Sequence, residues 1–262
     1  LCLWLIALSV QAAPPEFSSE ELAWLEEHPV IRVHNEQDWP PFNFNEDGQP
    51  RGYSIDFMDL VAESAGLEVD YVSGPSWEEF FDLIQSGELD VMLNVTPTAD
   101  RSRFLEFTSS YLDTAVAVFT PEQSGPITSL EDLAGKRLAV TAGLFAQKEL
   151  ESNYPQIALI ATENTLESLY MVLEGRADAA IDILAVIDYL RKENSLTGLK
   201  LALVYRDRTE STLNAIGVRK DWPVLANILQ KSMDSVDDDE LRTLQERWLG
   251  SEQEQDSTVE EQ

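Results

Sequence analysis

The sequence contains little cysteine and little histidine. Its one cysteine, Cys2, excludes an intrachain disulfide and a thiolate metal cluster. Two histidines are too few for a histidine-rich metal site, so we expect neither a metal nor a cofactor. We expect His34 to be a strand-end side chain, with a place in a binding site as the alternative.

Basic side chains are also scarce. Lysine and arginine number 18 against 48 aspartates and glutamates, which gives a net charge of −30. A surface of this charge repels nucleic-acid phosphates and anionic lipid heads, so we expect neither to be a partner. Hydrophobic residues make up 44% of the chain, and 262 residues suit one large domain or two of roughly 100–150 residues.

No apolar run of the sequence is long enough to cross a bilayer. Residues 1–13 are uncharged and mostly apolar, but a membrane span takes about 20 such residues. The run resembles the apolar part of a secretory signal, and Val10-Gln11-Ala12 offers small residues to a signal peptidase. We therefore expect residues 1–13 to be the remnant of a signal and the mature chain to be periplasmic. A buried N-terminal helix is the alternative.

Two parts of the chain alternate short apolar strands with amphipathic helices. The predicted strands are 30–33, 67–72, 91–95, 136–140, 157–160 and 179–181, and the predicted helices include 55–65, 77–85, 166–173, 225–233 and 241–249. Such alternation is typical of α/β units whose sheets are mostly parallel.

The two parts also repeat one short motif. Residues 87–91 and 175–179 both read Gly-x-x-Asp-apolar between a helix and a strand, which suggests two lobes of related design. Extended stretches at 114–121 and 209–218 are expected to cross between the lobes as a hinge. The resulting domains are lobe 1 at 28–115 plus 218–250, lobe 2 at 119–211 and a disordered acidic tail at 251–262.

Five further motifs follow one another in a fixed order. They are Trp39-Pro40-Pro41-Phe42, Gly52-Tyr53-Ser54-Ile55-Asp56, Leu83–Asp90, Thr96-Pro97-Thr98-Ala99-Asp100-Arg101 and Phe107-Thr108-Ser109-Ser110-Tyr111. Each is unspecific alone, but the ordered set resembles the extracellular solute-binding proteins of family 3, the amino-acid-binding class of Venus-flytrap receptors. The resemblance covers residues 30–249. It implies an α/β, two-lobed periplasmic-binding-protein fold of type II, each lobe a mostly parallel sheet flanked by helices, joined by a two-segment hinge.

The resemblance leaves three functions open. The first is a monomeric receptor that captures an amino acid or similar small polar solute for an ABC permease. The second is the ligand-sensing domain of a membrane-bound kinase or cyclase, because the lead-in at 20–29 resembles such sensors as well as the binding half of a membrane-bound lytic transglycosylase. The third is a dehydratase with Glu36 or Asp182 as its acid–base group. We expect no enzyme, since the sequence shows no paired catalytic constellation.

The family's two charge-binding positions fall on Arg101 and Asp182. A buried amino acid needs a cation for its carboxylate and an anion for its ammonium. The resemblance assigns the carboxylate to Arg101, whose planar guanidinium can donate two parallel hydrogen bonds, with a surface salt bridge to Asp100 or Glu106 as the alternative. It assigns the ammonium to Asp182, with a helix N-cap as the alternative. Arg103 is expected at the surface.

The resemblance also implies the remaining site residues. Asn94 and Thr96 would line the strand end beside Arg101 and offer oxygens to the ammonium. Trp39 and Trp77 match rings that enclose the ligand's side chain, with core packing as the alternative. Glu36 matches a position that is acidic in binders of basic amino acids, with solvated surface as the alternative.

One segment departs from the family's pattern. The family usually has Gly followed by Ser or Thr at the start of a second-lobe helix, whereas this chain has Gly143-Leu144-Phe145. Backbone N–H groups at a helix N-terminus can still bind an anion, but the hydroxyl is missing. We expect a more apolar wall to the site there.

Overall fold

The computed structural model describes residues 14–142, 145–205 and 213–249. The helices are α1 (Ser19–Glu27), α2 (Tyr53–Ala65), α3 (Trp77–Ser86), α4 (Phe145–Asn153), α5 (Thr165–Leu173), α6 (Leu184–Glu193), α7 (Pro223–Asp234) and α8 (Asp238–Leu249). The strands are β1 (Val30–Asn35), β2 (Asp38–Trp39), β3 (Asn43–Glu46), β4 (Gln49–Arg51), β5 (Glu68–Ser73), β6 (Val91–Val95), β7 (Leu105–Asp113), β8 (Val116–Pro121), β9 (Arg137–Thr141), β10 (Ala158–Thr162), β11 (Ala179–Ile183), β12 (Leu199–Tyr205) and β13 (Leu213–Arg219). The expected signal remnant and acidic tail lie outside the described residues.

These strands form two five-stranded sheets of matching topology and a small three-stranded sheet, β2-β3-β4. The first sheet has the order β5-β1-β6-β13-β7, and the second has the order β10-β9-β11-β8-β12. In each, the fourth strand is antiparallel to both neighbours, so four of the five strands point the same way. The predicted α/β fold with mostly parallel sheets is confirmed.

The chain crosses between the two sheets twice. It leaves the first sheet where β7 ends at Asp113 and enters the second where β8 begins at Val116. The return, from β12 to β13, passes through residues 206–212, which are not described. Strand β13 pairs with β7 from Leu213 and with β6 from Ala215, ahead of the start at 218 that the sequence predicts for this part of lobe 1.

The repeated Gly-x-x-Asp motif forms the same clasp in both lobes. In lobe 1, Arg32 of β1 donates to the Asp90 carboxylate at 2.6 Å and to the Gly87 carbonyl at 2.7 Å. In lobe 2, Arg137 of β9 donates to Asp178 at 2.8 Å and to the Gly175 carbonyl at 3.0 Å. The glycine ends a helix, the aspartate precedes a core strand, and the arginine of the neighbouring strand joins the two.

Helix α6 links the lobes near the first crossing. Its Leu184 donates its backbone N–H to the carbonyl of Ala115 at 2.8 Å. Val186 is buried within the apolar core of lobe 1, and the Tyr189 ring centroid lies 6.1 Å from that of Phe44 in β3. A helix of the second lobe therefore packs on the first. Among the described helices, none combines the length and hydrophobicity that a membrane span requires.

Candidate functional site

Side chains of lobe 1 gather where β1 and β6 end and α3 begins. Trp77 is the first residue of α3, and its ring centroid lies 5.5 Å from that of His34. The guanidinium carbon of Arg101, in a 3₁₀ turn after β6, lies 6.0 Å from the same ring. Ligands of open α/β sheets bind beyond the carboxyl ends of the strands, which is where these residues lie.

Arg101 is a half-buried cation with no carboxylate at ion-pair distance among the described residues. Its Nη1 donates to the carbonyl of Thr96 at 2.8 Å, and its guanidinium lies 5.3 Å from the Phe81 ring. Burial lowers the pKa of Arg101. Glu106, one of the alternative partners, pairs with Lys220 at 2.6 Å instead. The remaining Arg101 donors are therefore suited to an external anion.

Asn94 lies beside this arginine in a strained backbone conformation. Its φ of 58° is in the left-handed region, which asparagine adopts more readily than most residues. The side-chain Nδ2 donates to Ser54 Oγ at 2.7 Å, and the backbone N–H donates to Tyr111 Oη at 3.3 Å. Its Oδ1 is buried and has no hydrogen-bond donor in the described part of the chain. Because this oxygen has no accessible surface, a ligand or a water molecule reaches it only when the side chains around it move.

The two predicted tryptophans occupy different surroundings. Trp77 touches both Arg101 and His34, as described above. Trp39, in β2, lies 4.9 Å from the Phe42 ring and packs against the core of lobe 1, and none of its described ring contacts reaches Arg101. Its observed contacts are those of the core-packing alternative.

Glu36 is connected to Trp77 by His34, which lies near both side chains. Its Oε1 is 3.7 Å from His34 Nε2, and its backbone N–H donates to Asn43 Oδ1 at 3.0 Å. The Glu36 side chain is 25% exposed. It is therefore a partly covered carboxylate at the edge of the same cluster as Arg101, and not a freely solvated one.

In lobe 2, Asp182 is a buried carboxylate near the end of β11. Its Oδ2 accepts from Thr165 Oγ1 at 2.6 Å and from Thr141 Oγ1 at 3.0 Å, and its Oδ1 accepts from the N–H of Ile183 at 2.7 Å. Burial raises the pKa of Asp182. In the described ranges no basic side chain lies within ion-pair distance of it. Ile183, not Asp182, is the N-cap of α6, and its side chain makes no capping hydrogen bond.

The segment 143–145, which departs from the family's pattern, follows a strand that contacts Asp182. Thr141, which donates to Asp182, ends β9, and α4 begins at Phe145. Gly143 and Leu144 lie outside the described residues. The expectation of an apolar wall at this loop therefore stays a prediction.

Sequence reasoning missed several residues that hold the predicted ones in place. Ser54 holds Asn94, Phe81 lies against Arg101, and Thr141 and Thr165 hold Asp182. The sequence indicates these residues only weakly, because hydroxyl side chains are common at the ends of strands and at the starts of helices. His34 had a clearer signal, because it lies two residues before Glu36 at the end of a strand.

Two surface cavities lie away from these residues. One of about 460 Å³ lies between α2 and α8 and includes Asp59, whose pKa is raised by burial. The other, of about 320 Å³, lies at the end of α6 and includes Arg191. Neither is lined by a predicted site residue.

Comparison with known families and proteins gives consistent matches. The profile of the bacterial extracellular solute-binding proteins, family 3, matches residues 31–251. The virulence sensor protein BvgS of Bordetella pertussis is 26% identical over 246 residues, which are 94% of this chain and 20% of BvgS. A probable amino-acid ABC transporter-binding protein of Haemophilus influenzae is 27% identical over 230 residues, covering 86% of this chain and 87% of that protein. The chain thus spans only about a fifth of the sensor protein it matches.

Solved structures show the same similarity in three dimensions. The periplasmic VFT2 domain of Bordetella pertussis BvgS superposes with a TM-score of 0.77 at 25% identity, covering 89% of this chain and 99% of that domain. A histidine kinase sensor domain with similarity to periplasmic binding proteins has a TM-score of 0.73 at 26% identity, covering 86% of this chain and 98% of that domain. The two-lobed flytrap architecture is therefore shown for this chain.

Proposed function

Because the chain belongs to the bacterial extracellular solute-binding proteins of family 3, we propose that it captures an amino acid or a similar small polar solute between its lobes. One observation carries the proposal. Each lobe holds a charged group that lacks an opposite charge among the described residues, a guanidinium on lobe 1 and a carboxylate on lobe 2. A zwitterion supplies both missing partners.

In this proposal, Arg101 binds the ligand's carboxylate and Asp182 its ammonium. The Arg101 guanidinium keeps donors beyond the one on Thr96, and charged hydrogen bonds of this kind are about twice as strong as neutral ones. Asp182 is already held by two hydroxyls and a backbone N–H, so its orientation needs little adjustment. In the closed form, the Asn94 Oδ1, which has no donor among the described residues, becomes a further acceptor for the ammonium once the side chains that cover it move.

The same arrangement converts binding into motion. Arg101 lies in the turn after β6 of the first sheet and Asp182 lies in β11 of the second, and the chain crosses between those sheets twice. A ligand that touches both groups stabilises the form in which the lobes are close, because only that form offers both contacts. Closure is the signal that a permease or an output domain could recognise. No chemical conversion of the ligand is part of the proposal.

We propose that the protein lies outside the cytoplasmic membrane and delivers its ligand to an ABC permease in that membrane. The similarity to the Haemophilus transporter-binding protein, which covers 87% of that protein, supports this reading. A second candidate, the sensing domain of a membrane-bound signalling protein, is favoured by the match to BvgS over 94% of this chain. The coding sequence after Gln262 separates them: a hydrophobic run of about 20 residues supports the sensor, and a stop codon supports the transporter subunit.

A thermal-shift screen of the twenty amino acids tests the capture itself. A ligand that binds only the folded state raises the melting temperature, by an amount that grows with its concentration over Kd. We expect at least one amino acid to raise it at millimolar concentration, and the matching carboxylic acid without the amino group to raise it less. A screen in which no amino acid shifts the melting temperature would contradict the proposal.

A further inference from the structure

Helix α6 has one apolar face in each lobe. Val186 is 2% exposed within the core of lobe 1, and the next residue, Ile187, has no exposed surface within a core of lobe 2. The helix begins at the first crossing, where the N–H of Leu184 donates to the carbonyl of Ala115. Because both faces are packed, a rotation of one lobe against the other must shift α6 against at least one of the two cores.

Tyr189 of α6 faces lobe 1, where its ring centroid lies 6.1 Å from that of Phe44. It lies five residues after Leu184, which is about 7.5 Å along the helix at 1.5 Å per residue. A rotation of about 15° at the crossing, around an axis across the helix, moves Tyr189 by about 2 Å. Aromatic rings interact at centroid distances of about 4.5–7 Å. A displacement of this size therefore breaks the contact or forces the Phe44 ring to move.

Phe44 of β3 also contacts the last described helix, α8. Its side chain is buried, and its ring centroid lies 5.9 Å from that of Trp248, edge to face. The Nε1–H of Trp248 donates to Asp56 Oδ2 at 2.8 Å, and Arg247 donates to the same oxygen at 2.9 Å. Within α8, which the structure describes completely, only Leu244 is buried. The Trp248 end of α8 therefore depends on Phe44 and Asp56 for its position.

We propose that α8 responds to the angle between the lobes through the ring contacts of Phe44 with Tyr189 and Trp248. When the lobes close on a ligand, Tyr189 moves relative to Phe44. The Phe44 ring then shifts or loses this neighbour, and Trp248 changes its contact with Asp56. The inference rests on the proposed function, because it needs a ligand that closes the lobes.

The change reaches an outer surface of lobe 1. The cavity of about 460 Å³ lies between α2 and α8, and both Asp56 and Arg247 line it. A change in the contact between Trp248 and Asp56 therefore alters the shape of this cavity. Arg101, the ligand-binding candidate of lobe 1, is not among the residues that line it. The α2–α8 surface thus gives a partner protein a means to distinguish the closed form without contact to the ligand.

Hydrogen exchange of α8, followed by mass spectrometry, tests the proposal on the full chain. The probe is an equimolar mixture of the twenty amino acids, each at about 1 mM, and the melting temperature reports whether the mixture binds. We expect the mixture to change the exchange rates of residues 241–249 by about twofold or more in the wild-type protein. Unchanged rates in α8, under conditions where the mixture raises the melting temperature, would overturn the inference.

Tyr189→Leu separates the ring contact from a general stabilisation by bound amino acid. Leucine keeps an apolar side chain against lobe 1 but has no ring to meet Phe44. We expect this variant to retain the shift in melting temperature and to lose most of the change in α8. Tyr170→Leu is the matched control, because Tyr170 is a 42% exposed residue of α5 in the same lobe, and it should respond like the wild-type protein. If Tyr189→Leu also responds like the wild-type protein, the change in α8 does not depend on this ring and the inference is wrong.

A measurement on the wild-type protein covers the case in which Tyr189→Leu does not fold. The indole N–H of Trp248, which donates to Asp56, gives a ¹⁵N-tryptophan NMR signal that is assigned from its absence in Trp248→Phe. We expect this signal to shift when the amino-acid mixture is added. A Trp248 signal that stays fixed while the Trp77 signal shifts would contradict the inference.

The outcomes also separate this inference from the function beneath it. If the mixture does not raise the melting temperature of the wild-type protein, the proposed function is wrong and the inference falls with it. If the mixture raises the melting temperature but neither the exchange of α8 nor the Trp248 signal changes, capture between the lobes stands and the role of α8 is wrong.

Discussion

At the scale of single residues, the predicted ligand-binding charges differ in how they tolerate burial. The charge of Arg101 is delocalised and lies against the Trp77 and Phe81 rings, which lessens the penalty of removing it from water. The carboxylate of Asp182 is compact and 3% exposed, and it relies on two hydroxyls and one N–H. Burial of the charge therefore costs more at Asp182 than at Arg101.

The first prediction concerns Arg101. Arg101→Ala should weaken the binding of every α-amino acid by about 100-fold or more, because truncating one member of a buried charge pair leaves the ligand's carboxylate unpaired. Isothermal titration calorimetry measures the loss. Arg103→Ala is the matched control, since Arg103 is exposed two residues further on and should retain the wild-type affinity. Unchanged affinity in Arg101→Ala would remove this residue from the site.

The second prediction concerns the effect of Asp182 on the free energy of unfolding. Burial raises the pKa of Asp182 in the folded state, so the folded protein binds a proton more tightly than the unfolded chain. The contribution of Asp182 to the free energy of unfolding is most favourable below the pKa of the unfolded chain, about 3.9. This contribution is lost as the pH rises through the pKa of the folded protein. At neutral pH without ligand, Asp182→Asn should therefore raise the free energy of unfolding, because the amide has no charge to bury.

Urea unfolding as a function of pH checks this prediction. The difference between Asp182→Asn and the wild-type protein should grow as pH rises from acid to neutral. The same variant should bind amino acids less tightly and simple carboxylic acids about as before. A variant that is less stable than the wild-type protein at every pH would contradict the assignment of a carboxylate whose burial costs free energy.

At the scale of elements, the two Gly-x-x-Asp clasps share their geometry but differ in burial. The Asp90 side chain is 2% exposed, whereas the Asp178 side chain is 40% exposed. Asp90 also has a second cationic neighbour, Arg219, at 3.3 Å. Removing one partner of an ion pair costs most when the other partner is left as an unpaired buried charge. The lobe 1 clasp should therefore contribute more to the free energy of unfolding than the lobe 2 clasp.

The third prediction compares the two clasps. Arg32→Met should lower the free energy of unfolding by about 2 kcal/mol, because Asp90 stays buried with only Arg219 beside it. Arg137→Met should lower it by clearly less than Arg32→Met does, since water solvates Asp178. Urea denaturation of the two variants measures both. Equal losses would show that burial does not govern the contribution of this motif.

At the scale of the whole molecule, the net charge of −30 acts against compactness. Most of the 48 carboxylates cannot each have a base of their own, because basic residues number only 18. Like charges spread over the surface repel one another, and dissolved salt screens that repulsion over about 10 Å at 0.1 M.

The fourth prediction follows from this repulsion. Raising sodium chloride from about 0.01 to 0.5 M should raise the melting temperature of the ligand-free protein at neutral pH. Differential scanning calorimetry measures the change. Potassium chloride should have the same effect, because screening depends on ionic strength and not on the identity of the cation. A melting temperature that falls with salt would show that attractive surface pairs outweigh the repulsion.

The elements that sequence patterns predicted well are those with a clear inside face. The buried strands β6 and β11 and the helices α3 and α5 were predicted within one or two residues of their bounds. The patterns did not predict β7 or β12, although they did predict β5 and β10, the edge strands at the opposite sides of the two sheets. Lying at a sheet edge is therefore not the reason. Along β7, buried and exposed residues follow one another without a regular period, so its apolar residues give no strand signal.

The amino-acid sequence by itself determined the two-lobed α/β fold, its repeated motif and its charge, because these follow from local periodicity and composition. Only the tertiary structure decided which charges lack partners. Lys220 takes Glu106 and so leaves Arg101 without that carboxylate, and the N–H of Leu93 orients a histidine 59 residues earlier in the chain. Such pairings depend on where distant segments meet and on how much water remains between them.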